Sequence, residues 1–123
     1  MNLKLKYGVL CGLATALFLA AGPASAQALM FMHDTPYTHF TKEDRAMFDA
    51  AMTEALDKSA DGESRAWSNP ATRASGELKP VQSFERKGLK CRKLWIANKA
   101  KGRSASGEYN FCKQASGKWM IAN

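Results

Sequence analysis

Few side chains in this 123-residue chain are equipped for covalent chemistry: it has three cysteines and two histidines. A nucleophilic centre needs a base within hydrogen-bond reach of its hydroxyl or thiol. The histidines, His33 and His39, both fall in an N-terminal arm (27–40), and Cys91 and Cys112 are expected to pair with each other. Neither a Ser/His/Asp nor a Cys/His site is therefore predicted. The cysteines also lack the close CxxC spacing of a zinc site. Met30, Met32, His33 and His39 are soft donors that suit copper(I), but their spacing matches no defined site. The plainer reading has Met30, Phe31 and Met32 docking on the domain while the histidines sit in water. Asp57, Ser59, Asp61 and Gly62 open like a calcium loop, yet the position that must supply the bidentate glutamate is Ser68, which rules calcium out. No glycine-rich phosphate loop occurs. The sequence predicts no catalytic residue, no metal and no cofactor.

Charge is the one property that departs from the ordinary. Between positions 86 and 103 lie Arg86, Lys87, Lys90, Arg92, Lys93, Lys99, Lys101 and Arg103, with no acid among them. A single-sign run of this length produces a field able to concentrate anions. The functional reading is contact with an anionic envelope polymer: lipopolysaccharide, phospholipid head groups or acidic glycan. The structural reading is a solvated set of lysines that protects a sheet edge. Of the three tryptophans, Trp67, Trp95 and Trp119, a small domain needs most for its core, with the indole N–H bonded at the rim. Trp95 shares a face with Cys91 and is the one that a single helix would leave partly open.

The elements that must position these residues follow from pattern. Residues 1–26 read as a signal peptide: Lys4 and Lys6 in front, an apolar stretch from Tyr7 to Ala21, a Gly22-Pro23 break, then Ala24-Ser25-Ala26. The apolar stretch is short for a membrane span, and no later one approaches the roughly 20 residues required, so no transmembrane span is predicted. Cleavage after Ala26 removes Cys11 and lowers the formal charge from +7 to +5, because Lys4 and Lys6 leave without an acid. Two cysteines then remain, which in an oxidising compartment most simply form a bond. An exported address also argues against nucleic acid as a partner.

The two cysteines set the geometry of a hairpin. Folded about Lys101-Gly102, within a polar turn expected over 98–104, the chain places Cys91 opposite Cys112, Leu94 opposite Tyr109 and Arg92 opposite Phe111. Upstream, Thr41-Lys42-Glu43-Asp44 resembles a capping box. Phe48, Met52 and Ala55, with Met47, Ala51 and Leu56 alongside, form an apolar stripe at helical spacing. The helix should run to about Ser59 or Ala60 and stop at Asp61-Gly62. Beyond it the period becomes that of strands: about 63–68, ended by Asn69-Pro70; about 76–85, with Pro80 at an edge or bulge; the cysteine hairpin; and a last strand from Lys118 to Ala122. The expected fold is α+β, one N-terminal helix packed on an antiparallel sheet of four to five strands, in a single domain over 41–123.

Trp67-Ser68-Asn69-Pro70, Gly76, Cys91-Arg92, Cys112 and Gly117-Lys118-Trp119, in that order, resemble the C-terminal domain of the rickettsial-type 17 kDa outer-membrane surface antigen family. The resemblance covers roughly residues 54 to 123. It implies a non-enzymatic component of the cell envelope, periplasmic or at the outer-membrane surface of a Gram-negative-type bacterium, and brings no catalytic residues with it. The family's lipid-attachment cysteine and glycine-zipper segment have no counterpart here, which implies an envelope protein without that anchor. The rival class is a small periplasmic enzyme inhibitor, or an enzyme whose site the residues do not reveal.

Overall fold

The computed structural model describes residues 35–122. The expected signal peptide, and residues 27–34 of the expected arm with Met30, Met32 and His33, lie outside them. A short 3₁₀ turn, Pro36–His39, leads into helix α1, Lys42–Lys58. Five strands follow: β1, Arg65–Asn69; β2, Ala74–Arg86; β3, Leu89–Ala100; β4, Arg103–Lys113; and β5, Trp119–Ala122. They form one antiparallel sheet in chain order, β1-β2-β3-β4-β5.

α1 starts where its capping box places it. The Thr41 amide donates to the Asp44 carboxylate at 2.9 Å, and the Asp44 amide donates to the Thr41 hydroxyl at 3.1 Å. Ser59 closes the helix and Gly62 takes the positive φ of 88° that turns the chain toward the sheet. Phe48, Ala51, Ala55 and Leu56 are buried and Met52 is half-buried. Met47 is the departure from the expected stripe. It is 40% exposed, because the buried face is narrower and turned toward Asp44.

The cysteine hairpin has the expected register, with Cys91 opposite Cys112 and Leu94 opposite Tyr109. The expected seven-residue turn shrinks to two residues. Ala100 pairs with Arg103, and Lys101 and Gly102 take φ of 52° and 71°. Two left-handed residues match the twist of the flanking strands, so the ladder continues to the turn itself. Lys87-Gly88 repeats the device between β2 and β3, with φ of 51° and 74°. Pro80 sits at a bulge: the register shifts between Pro80 and Gln82, just past the end of β1. The disulfide joins Cys91 and Cys112.

The side of the sheet facing α1 carries Trp67, Leu78, Leu94, Ile96 and Phe111, all buried. α1 lies over β1 and β2, and the 3₁₀ turn lies over β3 and β4. Tyr37 and Phe40 are buried, with rings meeting Phe48 and Trp67 edge to face or tilted at 5.1–5.9 Å. The boundary expected at Thr41 therefore divides residues that share one core. The last residues of the arm belong to the domain, while His39 is exposed.

Candidate functional site

The eight cations do not form one surface. β3 carries its own two ends, and each end lies beside a different turn. Arg86, Lys87 and Lys90 surround the β2–β3 turn, whereas Lys99, Lys101 and Arg103 surround the β3–β4 turn. At about 3.3 Å per residue, Lys90 and Lys101 are roughly 35 Å apart along the strand. The Debye length is about 8 Å at physiological salt, so the two groups act as separate fields.

The two ends also differ in company. Near the first, Lys90 stands opposite Glu85 in the strand register, Arg86 rests its guanidinium 5.5 Å from the Phe84 ring centre, and Lys113 is bonded to Asp57 at 3.2 Å. At the second, Lys99, Lys101 and Arg103 are exposed and none forms an ion pair among the described residues. Because Ser75 pairs with Lys99, the exposed Arg73 before β2 falls at this same end. Arg73 was not among the sequence candidates. Its only mark in the sequence is a place in the polar loop, where it takes a left-handed φ of 62°. Lys93 lies mid-strand, half-buried, on the face away from α1 and opposite Asn110.

Arg92 drops out of the anion-binding set. Its register places it on the helix side, where one guanidinium nitrogen donates to the carbonyls of Ala55 and Leu56 at 3.1 and 2.9 Å. The other terminal nitrogen meets Asp61 at 2.8 Å and Nε donates to the Ser83 hydroxyl. Those carbonyls belong to the last helical turn, at the negative end of the dipole, where Ala55 also accepts from the Ser59 amide, so a cation there caps the helix.

Asp44, Asp57 and Asp61 serve as tethers. Asp44 is buried and accepts from Asn69 at 2.8 Å and from Thr72 at 2.6 Å, fixing the helix start to the β1–β2 turn. Burial pushes its carboxyl upward, but the bonds from Thr72, Thr41 and Asn69 outweigh it and hold the group below the usual carboxylate range. The Trp119 indole donates to Asp57 at 2.8 Å, and with Lys113 it lowers that carboxyl against a smaller burial effect. Arg92, then Ser83, lower Asp61 in the same way. Asp49 is the reverse case: burial raises it, with Arg45 opposing.

The tryptophans divide as their faces require. The Trp67 indole N–H donates to buried Asn98 at 3.3 Å, directly over Gly76, where any Cβ would stand 2.2 Å from the Asn98 oxygen. Trp119 is half-buried on the helix side. Trp95 is half-buried on the opposite side of the sheet, with the Lys79 ammonium 5.3 Å from its ring centre. Among the described residues no three His, Cys, Asp or Glu side chains converge on a metal position. No helix of the described residues is long and apolar enough to cross a membrane. Neither a family model, nor a curated protein, nor a solved structure matches the chain.

Proposed function

We propose that the chain is an exported, non-enzymatic envelope protein of the surface-antigen type that contacts anionic envelope polymer through the β3–β4 end of its sheet. The polymer is lipopolysaccharide, anionic lipid or acidic glycan. The observation that carries the reading is the cluster of Arg73, Lys99, Lys101 and Arg103, exposed and unpaired among the described residues at one end of a disulfide-closed hairpin. Cations held for stability are usually paired with acids, as Lys113 is with Asp57; these form no ion pair among the described residues. The Cys91–Cys112 bond supports an oxidising compartment, in line with the leader-like residues 1–26. Asp44, Asp57 and Asp61 are engaged in holding helix to sheet, which favours a binding role over a catalytic one.

Cosedimentation with anionic and neutral phospholipid vesicles, with and without lipopolysaccharide, tests the reading. Each cation near an anionic surface contributes about 1 kcal/mol. Changing Lys99, Lys101 and Arg103 together to Gln should then weaken binding on the order of 100-fold. Melting should barely move, since these groups are solvated at a turn. Raising salt from 0.1 to 1 M should release the protein from anionic vesicles. Equal binding to both vesicle types, or none to either, refutes the proposal.

A further inference from the structure

The face of the sheet away from α1 is hollow. A trough of about 850 Å³ runs across β1 to β4, within the ~300–1,000 Å³ range of small-ligand sites. Its cause is legible in the cross-strand rows. One outward row reads Ser68, Ser75, Lys99, Ser104; the next reads Ala66, Glu77, Ala97, Ser106. Central strand positions ordinarily carry β-branched or aromatic side chains. Here serine and alanine leave the space open, and Trp95, in the third row, forms the wall at one end.

Three properties of this trough define its occupant. The hydroxyls of Ser68, Ser75, Ser104 and Ser106 have no protein partner among the described residues, so they can exchange hydrogen bonds with a polyhydroxylated ligand. Trp95 supplies an aromatic surface for an apolar ring face. Charge is balanced: Lys79 and Glu108 flank Trp95 in its row, and Glu77 and Lys99 occupy the other two. Balanced charge gives no preference to a polyanion and offers both signs to neutral hydroxyls. Lys79 over the indole is no obstacle, since a cation–π contact at an open site is worth only about 0.5–1 kcal/mol.

We propose that this trough is a saccharide-binding site that takes a segment of a neutral glycan, with Trp95 as the stacking platform. It shares Lys99 with the cationic end but does not rest on that reading. Isothermal titration of the leader-free protein with chitohexaose, cellohexaose and maltohexaose tests it. At least one should bind, with an affinity unchanged between 0.1 and 1 M salt. Trp95→Ala should lower that affinity roughly 10-fold and Trp95→Phe should restore part of it. Ala97→Leu, which fills the floor, should abolish binding without lowering the melting temperature. All three variants should keep anionic-vesicle binding, so failure here is distinguishable from failure at the cationic end. The proposal is overturned if none of the three sugars binds, or if Trp95→Ala binds as well as the parent. It is equally overturned if the protein is a dimer in sedimentation equilibrium that Ala97→Leu converts to monomer.

Discussion

Asp44 shows how much one side chain can hold at the scale of residues. It completes the capping box of α1 and accepts from Asn69 and Thr72, 25 and 28 residues downstream, inside the fold. Asp44→Ala leaves those donors unmatched at a buried position and should cost about 1–3 kcal/mol, measurable by urea denaturation. The same carboxylate fixes the sign of the pH dependence. Asp44, Asp57 and Asp61 all titrate below the ordinary range when folded. Their stabilisation is therefore fully present above the unfolded value, about 3.9, and is lost as pH falls through the lowered folded values. Asp49, raised by burial, contributes in the opposite sense and softens the loss. Melting temperature should stay level from pH 7 to 5 and drop below about pH 4, with a shallower drop in Asp44→Asn. An unchanged slope in that variant would mean the acid sensitivity lies elsewhere.

At the scale of elements, the cysteine hairpin is the best-determined part of the chain. Its bond closes a loop with a sequence separation of 21, worth about 3 kcal/mol by restriction of the unfolded chain. Cys91→Ser with Cys112→Ser should lower the melting temperature by at least 5 °C in a domain of this size. A melt within 1 °C of the parent would refute that. The hairpin register and the helix start were legible because each is decided locally, by Lys101-Gly102 and by Thr41 with Asp44. The destination of Arg92 was not. Alternation puts it on the face opposite Cys91, but only the packed helix shows that the carbonyls of Ala55 and Leu56 lie above it. The division of the cations escaped for a related reason: a run counted along the sequence hides that a twelve-residue strand has two distant ends. The trough escaped too, because its serines are scattered over three strands and meet only through register.

For the whole molecule, the core extends further back than the start of α1. Tyr37 and Phe40 close the aromatic cluster around Phe48 and Trp67. Losing a buried aromatic costs about 3–5 kcal/mol, against a total of about 5–15 kcal/mol for an ordinary domain. A chain beginning at Thr41 should fail to show a cooperative melt, whereas one beginning at Thr35 should keep it, as followed by tryptophan fluorescence. Equal melts would place the aromatic pair outside the stabilising core. The strand order, finally, is the order of synthesis. Every strand pairing closes between stretches that are already neighbours along the chain, so each needs only a short loop to close. Cys91 and Cys112 are brought face to face by the hairpin, and among the described residues neither has a competing thiol. Among the described residues the native bond is thus the only disulfide that can form, and its closure needs an oxidant but no reshuffling between them.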